Sequence, residues 1–315
     1  MVEPTLKLVA LVFVPALTLS GCFPSLEDQP WLVQDSRILA VRTTPAEARP
    51  NEKVQLEALV ATPDGSTDQE VSWSYCLAQR LGAERTGVTQ SCLSGDNLEP
   101  IRSRTTVPMD ACSLFGPNPP PAEGDQPQAR PADPDSSGGY FLPIQAATFD
   151  EANGNEVTAF GFQRIRCDLP AVTRAVFEAY QEQYVPNENP EPSSLEAEHE
   201  DGSVADAMQG VSVAAGERVT LRLTPTETSS EHYAVYDAHS SRLLGRDETL
   251  SATWFVTGGK LSLGSAILSS EQLQSGAVFD NTWTAPSKPA RVFGWVVLRD
   301  ERSGVSWSAF SFDVQ

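Results

Sequence analysis

The sequence predicts an all-β protein built from two β-sandwiches in tandem, the first carrying a long insertion and one short helix. Three observations predict it. Apolar and polar residues alternate with period two in short runs along most of the chain, the pattern of half-buried strands. The second half repeats the logic of the first: "RPNEKVQLEALVATP" and "AAGERVTLRLTPT" each hold a turn, a Glu, a basic residue and then Val-x-Leu, and each is followed by a strand with a central Trp. The chain has 315 residues, enough for about two domains.

The chain opens with an apolar run from Leu8 to Leu19, preceded by a single basic residue, Lys7. A run of that length is shorter than the ~20 residues a spanning helix needs. It fits the apolar stretch of a secretory signal peptide over residues 1–21. The run ends in Leu19-Ser20-Gly21-Cys22, which resembles the lipobox of bacterial lipoproteins. The resemblance implies cleavage before Cys22 and lipidation of that residue, which anchors the protein in a membrane. Each buried CH₂ of such an anchor contributes about 0.8 kcal/mol. Position 23 is Phe, where many Gram-negative lipoproteins kept at the inner membrane carry Asp, so the implied address is the outer membrane, on either face. Residues 22–36 read as a polar tether.

The first domain is expected over residues 37–186. Val54, Leu56, Ala58 and Val60 alternate with Gln55, Glu57 and, less cleanly, Leu59. Pro63-Asp64-Gly65 marks a turn, and Val71, Trp73 and Tyr75 then share one face of the next strand. This order resembles the start of an immunoglobulin-like or fibronectin-like sandwich. Residues 80–139 are rich in Pro, Gly, Asp and Ser and read as a long insertion unable to order itself by packing. Strands return over 140–148 and 156–167, joined at Asn153-Gly154, a strong hairpin signal. One amphipathic helix is expected over 170–184, from Val172, Val176 and Tyr180 at four-residue steps. Residues 187–210 are acidic and read as a linker or as the first strand of the second domain, which covers 211–315. That domain closes with two long strands, Val292–Arg299 and Val305–Val314.

Export implies an oxidising compartment. Setting Cys22 aside leaves Cys76, Cys92, Cys112 and Cys167, for which three connectivities are open. We favour Cys76–Cys92, which closes a short loop, and Cys112–Cys167, which pins the Pro-rich insertion. A zinc site is disfavoured because no Cys-x-x-Cys pair occurs.

The charge balance, 42 acidic against 22 basic residues, argues against nucleic acid and against docking on an anionic lipid surface. No Gly-x-Ser-x-Gly or Ser-x-x-Lys nucleophile motif is present. His199-Glu200 starts like a zinc-protease helix, but position 203 is Ser. "TGGKLS" at 257–262 lacks the early Gly and the Ser or Thr directly after Lys that a phosphate loop needs. Asp133, Asp135 and Ser137 match the first half of a calcium loop, whose closing Glu would fall at Ile144. Trp73, Trp254, Trp283, Trp295 and Trp307 offer a carbohydrate platform as one reading; Trp73, Trp254, Trp295 and Trp307 sit in alternating strand patterns, where sandwich-core packing is the other.

Together, the lipobox, "RILAVRTTPAEARP", the Trp73/Cys76 strand, "YVPNENP" and "WVVLRDERSGVSW" resemble two-domain lipoproteins of predatory, gliding proteobacteria. The resemblance implies an address but no reaction. The expectation is a lipid-anchored, non-enzymatic module of the cell envelope that contacts an envelope protein, without cofactor. The alternative is a carbohydrate-binding module or an accessory to an envelope hydrolase, with a glycan as partner.

Overall fold

The computed structural model describes residues 29–78, 87–117, 139–169 and 172–315. Cys22 and the calcium-loop residues Asp133, Asp135 and Ser137 lie outside them.

The first sandwich contains β1 (Arg37–Thr44), β2 (Glu47–Ala48), β3 (Lys53–Thr62), β4 (Gly65–Ser66), β5 (Ser72–Cys76), β6 (Leu98–Ile101), β7 (Arg104–Thr106), β8 (Tyr140–Asp150) and β9 (Asn155–Ile165). One sheet holds β1, β3, β4 and β7; the other runs β2-β9-β8-β5-β6. Val54 and Leu56 from the first sheet meet Trp73, Tyr75, Leu142 and Ile144 from the second in a closed core. The β8–β9 hairpin pairs Asp150 with Asn155, and Gly154 takes the positive φ of 75° that its turn requires.

The second sandwich contains β10 (Pro192–Glu198), β11 (Val204–Asp206), β12 (Val211–Val213), β13 (Arg218–Pro225), β16 (Leu250–Val256), β17 (Lys260–Leu261), β18 (Ser265–Leu268), β19 (Phe279–Thr284), β20 (Ala290–Asp300) and β21 (Val305–Val314). Its sheets run β11-β10-β13-β19-β17 and β12-β21-β20-β16-β18. Trp254 and Trp283 fill its core, with Trp283 stacked on Phe312 at 4.3 Å between ring centres. Residues 187–210 thus supply two strands of this domain, β10 and β11.

The two five-stranded sheets with a parallel edge match strand for strand. In each, a short strand pairs in parallel with the last long strand: β2 with β9, and β12 with β21. The order then continues through the antiparallel hairpin partner to the Trp-bearing strand and a short outer strand. Both domains are immunoglobulin-like sandwiches, and the sequence repeat reflects a repeated topology.

Three boundaries differ from expectation. The segment 80–139 is only in part an excursion. Among its described residues, β6 extends one sheet and β7 the other, and two single-turn helices, α1 (Gln90–Leu93) and α2 (Ala111–Phe115), flank them. Pieces of three to five residues are too short to show a period, which is why they read as loop. The expected helix, α3, is confined to Arg174–Gln183 with Thr173 as its N-cap, its side chain accepting from Val176 N. A further turn, α4 (Ser270–Gln274), carries a capping box from Ser269 and Gln272. Finally, the tether is not free throughout. Val33 N donates to Val256 O, Val256 N donates to Trp31 O, and Trp31 packs on the second core, because these residues are apolar and find a strand end to cover.

Cys76 pairs with Cys92, and Cys112 with Cys167. The first pair is fully buried. The second is half-buried and lines a cleft of about 520 Å³ with Arg49 and Arg166. Thiol exchange needs in-line access to sulfur. Limiting dithiol is therefore expected to free Cys112 and Cys167 first. Alkylation and peptide mapping along a reduction time course checks this; equal or earlier labelling of Cys76 and Cys92 would contradict it.

Candidate functional site

β20 departs from simple strand patterning. Val292, Val296 and Leu298 point into the second core, as alternation requires, yet Trp295 and Val297 on its other face are also buried. A strand covered on both faces reads as a continuous apolar run, and "VFGWVVL" is one. What covers the second face is the first sandwich. Leu39 and Ala40 of β1 and Leu59 and Ala61 of β3 pack against Phe255, Trp295, Val297 and Val305, with Val33 closing the layer. This explains the impure alternation at Leu59: it faces the other domain.

Polar contacts fix the register of this layer. Trp295 Nε1 donates to Ser66 Oγ at 2.7 Å. Arg299 donates to Leu39 O at 3.0 Å, and the Arg42 guanidinium sits 4.4 Å from the Trp307 ring centre. Asn189 bridges the domains, donating to Thr43 O at 2.9 Å and accepting from Val305 N at 2.8 Å. A hairpin of the second domain, β14 (His232–Asp237) and β15 (Arg242–Asp247), reaches back over α3, where Ala234 and Tyr236 pack on Tyr180, Tyr184 and Leu169.

At the rim of this interface lies a cluster of buried charges. Glu47 accepts from Arg164 Nε at 3.1 Å, from Asn187 N at 3.1 Å and from the Tyr184 hydroxyl. Arg302 donates to Glu248, to Glu231 and to Val185 O, and its guanidinium lies 4.2 Å from the Tyr233 ring centre. Asn187, with its amide turned to suit its neighbours, donates to Glu231 Oε2 at 3.2 Å and Glu248 Oε1 at 3.1 Å, linking the two halves of the cluster. Asp300 Oδ1 accepts from Arg302 N and Gly304 N, both at 2.8 Å. A side chain at 304 would run into the Asp300 carboxylate and Glu188 O, so the turn admits only Gly there.

Among the described residues, Glu47 thus pairs with Arg164, and Glu231 and Glu248 share Arg302, while Asp300 is held by the backbone N–H groups of Arg302 and Gly304. Burial, together with the neighbouring Glu248, pushes Glu231 up to about 8. Burial and the Glu248 charge likewise push Asp300 up to about 7. Burial works against the Arg302 cation, but Glu248 and Glu231 outweigh it and hold the guanidinium charged. Burial first, and then the Glu47 charge, drives the Tyr184 phenol well above its ordinary range.

The residues singled out in the sequence fall elsewhere or take other roles. Trp73, Trp254 and Trp283 are core, Trp295 is interdomain, and only Trp307 is partly exposed, under Arg42. For Trp295 and Trp307 this corrects the sandwich-core reading; both lie on the outer face of their sheet, Trp295 buried against the first sandwich and Trp307 half-buried beside it. His199 pairs with Glu217 and His232 with Asp247, each at 2.7 Å and on separate strands or turns. Lys260 lies on β17, paired with β19, and Gly258 O accepts from Trp283 Nε1. Among the described residues no group of His, Cys, Asp and Glu is arranged to hold a metal ion, and no helix is long and apolar enough to cross a membrane.

Glu47, Arg164, Glu231, Glu248 and Arg302 escaped the sequence reading because charged residues in an acidic chain read as solvated. A signal was present all the same. "RILAVRTTPAEARP", "YVPNENP" and "WVVLRDERSGVSW" supply β1 and Glu47, the connector, and β20 with its turn, and all three meet at this junction.

No family model matches the sequence, and no curated protein does. Among solved structures, the chain is similar to latent dimeric PorU from Porphyromonas gingivalis at 10% identity and a TM-score of 0.20, over 90% of this chain and 34% of that one. It is similar to fibronectin(III)-like modules of CbhA from Clostridium thermocellum at 7% identity and a TM-score of 0.22, over 91% and 92% of the two chains. It is similar to "BspA_C_WT" at 11% identity and a TM-score of 0.22, over 56% and 59%. The chain spans about a third of PorU.

Proposed function

We propose that this protein is a lipid-anchored, non-enzymatic interaction module of the cell envelope, held at the outer membrane through Cys22 and acting by contact. One observation carries the reading. The outer face of the central strands β16, β20 and β21 of the second sandwich, a surface that could have bound a partner, is covered by the first sandwich. Two domains joined in this way form a stiff body that holds its loops at a fixed offset from the anchor, and function sits preferentially on loops held by rigid sheets. The glycan-binding alternative loses its main support, since the tryptophans that would form its platform are packed in cores or at the junction.

The contact region to remove first is 117–137, most of which lies outside the described residues. Crosslinking from intact cells, comparing the native protein with Cys22→Ala and with a 117–137 deletion, tests the reading. The expected result is an envelope protein captured by the native chain and lost from both variants. Retention of the same partners by the deletion would place the contact elsewhere. Capture by Cys22→Ala at the native level would remove the anchor from the account.

A further inference from the structure

The buried cluster between the sandwiches holds more negative than positive charge, and that imbalance has a consequence for motion. Among the described residues, three buried carboxylates (Glu47, Glu248 and Asp300) and the largely covered Glu231 face two buried guanidiniums, an excess of two. Asp300 Oδ2 is buried with no hydrogen-bond partner among the described residues. Glu231 and Glu248 lie against the same guanidinium, and Asn187 reaches one oxygen of each. Such a site closes without a large electrostatic cost only if it takes up protons.

Every element packed on the site adds to the balance. The β14–β15 hairpin brings Glu231, Tyr233 and Glu248, with Arg246 acting on the Tyr233 hydroxyl. The β20–β21 turn brings Asp300, Arg302 and the exposed Glu301, which accepts from that hydroxyl at 2.6 Å. The first domain and connector bring Glu47, Arg164, Tyr184 and Glu188, with Arg166 4.3 Å from the Tyr184 ring centre. The cations added at the edge, Arg166 and Arg246, face tyrosines, while Glu301 and Glu188 add negative charge. Among the described residues the excess therefore stays with the cluster carboxylates.

We propose that the junction is a proton-loaded clasp, tight while the cluster holds its excess protons and loosened when they leave. The proposal rests on the reading of the pair as a stiff display body and names how that stiffness is controlled. The sign follows from linkage. Glu231 moves from 4.5 to about 8 in the folded chain, and Asp300 from 3.8 to about 7. Between those limits the folded state holds protons that the unfolded chain has released, so stability falls as pH rises through the window. Mildly acid conditions close the clasp; mildly alkaline conditions open it.

The test is amide hydrogen exchange on the full chain, corrected for intrinsic chemistry, from about pH 6 to about pH 8.5, which spans the proton release. The reporters are amides whose acceptors are the cluster carboxylates: Asn187, Glu188, Glu231 and Gly304. Their protection is expected to fall at least about tenfold across that range, while amides shared by β13 and β19 in the second core hold theirs. Glu231→Gln, which mimics the protonated side chain, is expected to flatten most of the change. Junction protection independent of pH in the wild type would overturn the proposal without requiring any variant to fold. An equal pH response in Glu231→Gln would overturn it too. Either failure leaves the crosslinking result untouched, so the clasp and the contact function stand or fall separately.

Discussion

Replacing Arg302 by methionine is expected to lower stability by about 3–5 kcal/mol near neutral pH, the cost of leaving buried carboxylates without their cation. Arg302 is 1% exposed and donates to Glu248, Glu231 and the Val185 carbonyl. Methionine fills much of the volume of the arginine stem, so the loss is chiefly electrostatic. That gives the result a second signature. Glu231 and Asp300 already hold protons more tightly than free carboxylates, and without Arg302 their affinity rises further. The deficit should therefore shrink toward about pH 5, where these groups are neutral. Urea unfolding of wild type and variant at both pH values measures it. A deficit under 1 kcal/mol, or one that grows on acidification, would mean that the cluster is not balanced as the geometry implies.

Truncation of Trp295 to alanine is expected to cost a similar amount, about 3–5 kcal/mol, because a large aromatic leaves a cavity that its neighbours fill only in part. Trp295 is 1% exposed, and its ring belongs to the interdomain layer rather than to the core of its own sandwich. The effect is therefore expected on coupling between domains. Calorimetry should show one transition for the wild type and two for Trp295→Ala, as each sandwich begins to melt on its own core. Trp254→Ala, in the core of the second domain, serves as the contrast and should lower that domain's own transition. If Trp295→Ala still melts in one transition, this layer does not couple the two domains.

The repeated topology was legible because each sandwich writes its inner face into the sequence at period two, as Val54, Leu56, Trp73 and Tyr75 do in the first. The junction was legible only as an irregularity. Leu59 broke an alternation, and "VFGWVVL" lost its polar beats, because both segments have a buried outer face; a single sequence does not say what lies on that face. The charged cluster left no periodic pattern. Its members come from positions as distant as Glu47 and Arg302, and acidic residues are common throughout the chain. Only the folded chain shows that these few have lost their water. The short pieces β6, β7 and α1 were hidden for another reason: a strand of three or four residues is chosen by its neighbours, not by its own periodicity.

The central claim is that the two sandwiches behave as one body. Residual dipolar couplings, collected at about pH 6 where linkage keeps the cluster protonated, test it most directly. Fitted separately, the amides of the first sandwich and those of the second should give one alignment tensor, equal in magnitude and orientation when referred to this structure. Tensors of different magnitude would mean that the domains reorient independently, and the fixed offset on which the proposed function depends would be lost.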